Sequence, residues 1–137
     1  MSAWLDLVRV HDRMHKHLMD HLENYDLTIA QYDVLAHLSE KPGITQQALA
    51  QELLVTKGNI CGLIDRMSAH GLVERRSDPE DRRSNLLHLT SEGERLAREA
   101  VPAYDEFVRQ HMSGITPRQL AELREILAVL DNSLHDH

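Results

Sequence analysis

The chain of 137 residues is long enough for one compact domain, and its formal net charge is −7. Apolar residues make up 42% of it, mainly Leu, Ala, Val, Ile and Met, while aromatic residues make up 4%. With few Pro and Gly, this composition favours a mostly helical fold. The acidic balance excludes a protein that coats nucleic acid without selection, because phosphate binding requires clustered cations. Residues 56–85 are the exception, since they carry six cations and five anions.

Two features of the sequence bear on location. Cys61 is the only cysteine, so no disulfide closes within one chain, and a reducing compartment is expected. The first residues do not have the pattern of an export leader, and no apolar stretch is long enough to span a bilayer. We therefore predict a cytoplasmic protein that makes no use of a membrane.

Helical periodicity predicts a first helix from about Trp4 to Asn24 with one buried stripe, and His11 and His15 share the sector of that stripe. The stripe consists of Leu7, Val8, Met14, Leu18 and Leu22. A second helix is predicted to begin at Thr28, because a Gln three residues later completes a capping box. It ends near residues 40–43, where Pro and Gly oppose helix continuation.

Two further helices follow in quick succession. Thr45 is predicted to cap a short third helix, and Thr56 to cap a fourth that ends at Gly71. The buried stripe of the fourth helix is predicted to contain Ile60, Leu63, Ile64 and Met67. Two short helices joined by a tight connection predict a helix-turn-helix.

Residues 72–76 and 85–89 are typical of two strands, and residues 77–84 between them of a turn dense in charge. A hairpin directly after a helix-turn-helix is a wing. Ser91 and Glu94 have capping-box spacing and predict the start of a long helix, which Pro102 is expected to bend. A last helix is predicted from Thr116. Its leucines have heptad spacing, which favours packing against another helix or a symmetry mate: Leu120, Leu123, Leu127, Leu130 and Leu134.

The order of these elements, together with three motifs, resembles the MarR family of transcriptional regulators. The motifs are Gly71-Leu-Val-Glu-Arg75, Asp78-Pro-Glu-Asp-Arg-Arg83 and Leu89-Thr-Ser-Glu-Gly93. The resemblance covers nearly the whole chain. It implies a mainly α fold with a small β-hairpin wing, in which residues 1–27 and 98–137 supply dimerisation helices and residues 28–97 form a winged helix-turn-helix that binds DNA.

The resemblance also implies that the fourth helix enters the major groove and the wing the minor groove. In the family an Asp-x-Arg motif supplies the minor-groove arginine. The resemblance assigns this role to Arg83, with Asp81 orienting it. Arg82 is expected either to contact a phosphate or to be an ordinary exposed charge.

The residues of the fourth helix are compatible with this placement. Gly58 and Gly62 lie opposite the buried stripe and permit a close approach to base edges, while Asn59 is able to bond bidentately to adenine. Thr56 and Lys57 suit phosphate oxygens at the helix start.

Several of these residues have a second interpretation. Asn59 is either a reader of bases or a solvated residue of the first turn. Arg66 either contacts DNA or forms a structural ion pair with Asp65. Without that pair, Asp65 would restrict the register of the helix on DNA or accept a hydrogen bond from cytosine. Cys61 is interpreted as a small structural residue, although oxidation there would disturb DNA binding.

The family resemblance further implies a small aromatic or anionic effector. His11, His15, Tyr32 and Asp33 are the candidate ligand-binding residues, and the alternative for each histidine is a satisfied position in a core or interface. Histidine pairs one turn apart leave a metal-responsive winged-helix repressor as the alternative function, but two ligands do not complete a site, and we predict no metal and no cofactor. The chain has no phosphate loop or nucleophile motif, which excludes the common enzyme classes. We therefore predict a homodimeric repressor that a small molecule releases from operator DNA.

Overall fold

The computed structural model describes residues 2–53, 57–81 and 83–135, with the side chain of Lys57 excepted. It contains six helices and three short strands. The helices over the described residues are α1 (Ser2–Glu23), α2 (Ile29–Glu40), α3 (Gln46–Glu52), α4 (Lys57–Ala69), α5 (Ser91–His111) and α6 (Pro117–His135). The strands are β1 (Ile44–Thr45), β2 (Val73–Ser77) and β3 (Asn85–Leu89). The predicted fold, mainly α with a small hairpin wing, is confirmed.

Side-chain caps fix the starts of several helices, because they satisfy backbone donors that have no partner within the helix. At α2 the Thr28 hydroxyl accepts from the Gln31 N–H at 3.1 Å, and the Gln31 amide oxygen accepts from the Thr28 N–H at 3.0 Å. Thr45 caps α3 by accepting from the Ala48 N–H at 3.1 Å. Thr116 and Gln119 form the same reciprocal box at α6. These predicted caps are confirmed, whereas the predicted Thr56 cap lies outside the described residues.

The start of α5 differs from its prediction. Thr90, not Ser91, is the capping residue, because its hydroxyl accepts from the Gly93 N–H at 3.0 Å. The same hydroxyl donates to the Gly71 carbonyl at 2.6 Å, and the Thr90 N–H donates to the Leu72 carbonyl at 3.0 Å. A Cβ atom on Gly93 would lie 2.1 Å from that Leu72 oxygen, so only glycine permits this approach. Gly71 itself has a φ of +73°, as a left-handed helix end requires.

The three strands form an antiparallel sheet in the order β1-β3-β2. β2 and β3 are the two predicted strands, whereas the two-residue β1, in which Ile44 pairs with Leu87, was not predicted. Within the hairpin, Val73 pairs with Leu89 and Arg75 with Leu87. Because successive side chains of a strand point to opposite faces, Val73 and Arg75 point to the same face as Leu87 and Leu89.

The hydrophobic core lies where α2, α3 and α4 meet the sheet and the start of α5. The predicted stripe of α4 is confirmed, since all four of its residues are buried. The largest fully buried side chains are Leu22, Val34, Leu35, Leu38, Leu49, Ile60, Ile64, Met67 and Leu87. This packing holds α4 by one face and leaves the opposite face at the surface.

The first helix buries less of its stripe than predicted. Leu18 and Leu22 are buried, but Leu7 is exposed, and so are His11 and His15. The expectation that the two histidines lie on a buried face is therefore wrong for the single chain. A stripe is buried only where another element packs on it, and among the described residues of α1 full burial begins at Leu18.

Residues up to Tyr104 form one compact unit, and residues from Asp105 onward form a second. In the second unit, α6 has no buried residue over its described length. Among the described helices, none is both long and apolar enough to cross a membrane.

Candidate nucleic-acid interface

The outward face of α4 is the first part of the candidate interface. Gly58, Asn59, Asp65 and Arg66 are exposed, and Gly62 is half-buried. Apart from its own helix backbone and its chain neighbours, a Cβ atom built on Gly58 would meet no heavy atom of the described residues within 4 Å, and one on Gly62 would lie 3.5 Å from the Arg66 guanidinium. The fold therefore has room for a side chain at both positions.

Three predicted DNA contacts cannot be placed in this way. Thr56 and Arg82 lie outside the described residues, and the side chain of Lys57 is outside them as well. Lys57 is the first residue of α4, so its backbone lies at the positive end of the helix dipole.

The wing is the second part of the interface, and two aspartates shape its tip. The Asp78 carboxylate accepts from the Glu80 N–H at 2.9 Å, and the Asp81 carboxylate accepts from the Arg83 N–H at 3.0 Å. Ser84 closes the turn by donating its hydroxyl to Asp81 at 3.3 Å. Such bonds from an Asp side chain to the backbone two residues on stabilise tight turns.

Asp81 therefore positions Arg83 differently from our expectation. Its carboxylate bonds the backbone of Arg83, whereas it was expected to hold the guanidinium. Among the described residues, the Arg83 side chain forms no ion pair. The guanidinium is thus available to a partner outside the chain, on a turn whose backbone is fixed.

A polar groove of about 610 Å³ separates α4 from the wing, and the start of α3 contributes to it. Arg75 of β2 lines this groove and donates to the Asp65 carboxylate at 2.7 Å and to the Gln46 amide oxygen at 3.2 Å. The predicted pairing of Asp65 with Arg66 is therefore replaced by one with Arg75. Cys61 also lines the groove and lies 3.9 Å from the Asp65 carboxylate.

Comparison with known proteins places this geometry in a family. The sequence pattern of the MarR family matches residues 25–84. The chain is 32% identical over 108 residues to the transcriptional regulator HosA of Escherichia coli O111:H-, and the match covers 79% of this chain and 80% of HosA. It belongs to the MarR family of DNA-binding transcriptional regulators.

Solved structures agree with this MarR-family assignment. AbsC, a MarR family transcriptional regulator from Streptomyces coelicolor, superposes with a TM-score of 0.93 at 28% identity, covering 99% of this chain and 94% of AbsC. The structure of Staphylococcus aureus MepR, solved in complex with DNA, has a TM-score of 0.86 at 24% identity and covers 98% of both chains. The predicted winged-helix fold is thereby confirmed.

The predicted ligand residues of this MarR-family chain fall into two groups. His15 and Asp33 line one groove of about 450 Å³ between α1 and the start of α2, together with apolar side chains that include Met19, Leu27 and Ile29. Burial in this groove raises the pKa of the Asp33 carboxyl above its ordinary value, although the residue remains exposed overall.

The other two ligand residues lie apart from this groove. Tyr32 is buried and stacks on Tyr104 with ring centroids 4.0 Å apart, so it belongs to the core. His11 is exposed, pairs with Asp12 at 3.3 Å and lies one turn before His15. Glu23 also lines the groove, although it is not among the residues predicted from the sequence.

Proposed function

We propose that the protein is a homodimeric repressor that holds operator DNA between the outward face of α4 and the wing, and that a small molecule releases it. The observation that carries the DNA geometry is the surface around Gly58, Gly62 and Arg83. Gly58 and Gly62 leave the outward face of α4 without bulky side chains, and the described residues leave space around both. Arg83 has no ion pair among the described residues.

Each residue has a proposed part in binding. The backbone of α4 approaches base edges at Gly58 and Gly62, and the Asn59 amide bonds an adenine. Arg83 enters the flanking minor groove, where the negative potential is strongest over narrow A·T-rich sequence. Phosphate contacts fix the register of the complex and are assigned to Thr56, Lys57, Arg66 and Arg82. MepR, which shares this fold, was solved in complex with DNA, and this supports the proposal that the fold binds DNA.

A second copy of the chain is the proposed cover for the exposed apolar residues of α6 and α1. Large apolar side chains of α6 remain in water in the single chain, with exposures of 64% for Ile126 and 71% for Val129. On α1, Trp4 and Val10 are 57% and 63% exposed. Burying such surface is favourable by about 25 cal/mol per Å². In a symmetric dimer the two copies of α4 are placed to read the two halves of a pseudo-palindrome.

The groove between α1 and α2 is the proposed effector site. Its walls are partly apolar, and its titratable residues are His15, Glu23 and Asp33. A small aromatic molecule that donates hydrogen bonds fits this groove better than an anion, because the described residues that line it include two carboxylates and neither lysine nor arginine. Such a ligand lowers operator affinity only if it binds the DNA-free form more tightly.

Selection of duplexes from a random-sequence library by the wild-type protein tests the proposal. The selected sites should be pseudo-palindromes with half-sites about 10 bp apart, and footprinting should protect both halves. Light scattering should report a dimer, and a selected site placed within a promoter should silence a reporter gene. Failure to enrich any duplex, or protection of a single asymmetric half-site, would contradict the proposal.

A further inference from the structure

The side chain of Arg75 connects three elements of the candidate interface, β2, α3 and α4. It lies on wing strand β2, and its guanidinium reaches Gln46 at the start of α3 and Asp65 on α4. The Arg75 side chain is 28% exposed, and that of Asp65 is 61% exposed. We call these three residues the Arg75 tie.

The neighbouring Arg76 makes a local contact instead. Its guanidinium pairs with Glu74 two residues earlier on the same strand, so this ion pair links β2 only to itself. The two arginines are adjacent and chemically identical, yet only Arg75 spans from the wing to α4. Arg76 is therefore a matched control for Arg75.

The Arg75 tie crosses between the two parts of the proposed interface. Asp65 is seven residues after Gly58, so the two share a face of α4, and Arg75 is eight residues before Arg83 along the wing. Asp65, Arg75 and Arg83 all line the polar groove that separates α4 from the wing. The Arg75–Asp65 contact therefore lies in the groove between α4 and the part of the wing that carries Arg83.

We propose that Arg75 and Asp65 are positioning residues that make the protein selective for the spacing between the major-groove core of its operator and the flanking minor-groove site. The proposal rests on the proposed function, because it concerns the same two DNA contacts. Asp65 on the DNA-facing side of α4 is neutralised by Arg75, so its carboxylate does not repel phosphate and reads no base.

The physical reason is geometric. α4 and the wing each bind their own groove of the DNA. The affinity lost when the flanking site is misplaced therefore depends on how stiffly α4 and the wing are joined. A guanidinium that donates to Gln46 on α3 and to Asp65 on α4 restricts the movement of β2 relative to both helices, while the exposure of Asp65 limits the contribution of the contact to stability. Loss of the Arg75 tie should therefore clearly reduce the selectivity for operator spacing while it changes the melting temperature only slightly.

The test uses full-length protein and two duplexes. The first is a sequence selected by the wild type, and the second has one base pair inserted between the core and the A·T-rich flank of each half-site. For the wild type and for Arg76→Met, we expect the insertion to weaken binding about tenfold. For Arg75→Met, the insertion should weaken binding less than about threefold, with a melting temperature within about 2 °C of the wild type.

Asp65→Ala breaks the tie from its other end and should give the same reduced penalty, which keeps the test valid if Arg75→Met folds poorly. A variant that is folded and dimeric, binds the first duplex and retains the wild-type penalty would overturn the inference. If the wild type enriches no duplex at all, the proposed function fails, and the inference fails with it.

Discussion

Replacing Gly62 with Ala should strengthen the fold and weaken DNA binding. Gly62 lies in the middle of α4, where glycine costs about 0.5–1 kcal/mol relative to alanine. The added methyl group would meet the Arg66 guanidinium at 3.5 Å, an ordinary contact with the movable end of a side chain. Gly62→Ala should therefore raise the melting temperature by about 2–4 °C.

The same methyl group stands on the face that we propose lies against base edges. Loss of close approach should cost about 1–3 kcal/mol of operator binding, roughly 5- to 150-fold in affinity. Fluorescence anisotropy with a selected duplex measures the affinity, and thermal unfolding at one fixed protein concentration measures the stability.

Gly114→Ala is the control, because it also adds one methyl group without a close contact among the described residues, but outside α4. It should leave operator affinity unchanged. If Gly62→Ala binds DNA as tightly as the wild type, the backbone of α4 does not approach the bases at this position, and the reasoning is wrong.

Four other changes test separate parts of the structure. Arg83→Ala should weaken binding most on operators with A·T-rich flanks, and equal losses on G·C-rich flanks would contradict minor-groove insertion. Leu127→Glu should produce monomers or aggregates in light scattering, so a soluble dimer would exclude this face of α6 from the interface. Gly93→Ala forces a methyl group against the Leu72 carbonyl and should lower stability by about 1–3 kcal/mol in urea titrations, whereas an unchanged midpoint would refute the close approach. Burial disfavours the charged form of Asp33 and raises its pKa, so the stability of the wild type falls as pH rises through that pKa. Asp33→Asn should therefore be more stable than the wild type at pH 7, and the difference should shrink toward pH 4. A difference that stays constant with pH would argue against this cause.

Local chemistry made much of the fold predictable. The Thr28 box and the α4 stripe follow from spacings of three and four residues, which the helix geometry itself imposes. The capping-box spacing from Ser91 to Glu94 predicts a cap one residue after the observed one, Thr90. The Thr90 hydroxyl is the cap since it also bonds Gly71, and that contact spans 19 residues.

The candidate site was less predictable, because its contacts depend on the fold. Asp65 has Arg66 as its neighbour in sequence, yet Arg75 reaches it only because the register of β2 with β3 turns that side chain toward α4. His11 and His15 share a sector with buried leucines, but the sector is buried only along part of α1. β1 has only two residues, so it is too short to show the alternation of apolar and polar residues that predicts a strand.

The two aspartates of the wing tip also determine how this surface is able to evolve. Asp78 and Asp81 add negative charge beside the proposed DNA contact, but both carboxylates accept backbone hydrogen bonds that shape the turn. Selection for higher DNA affinity therefore disfavours replacement of Asp78 or Asp81, because a substitution there would remove a hydrogen bond that shapes the turn. Glu80 contributes only its backbone N–H to the turn contacts among the described residues, so its side chain is open to replacement. A descendant of this chain gains positive charge on the wing most readily at Glu80.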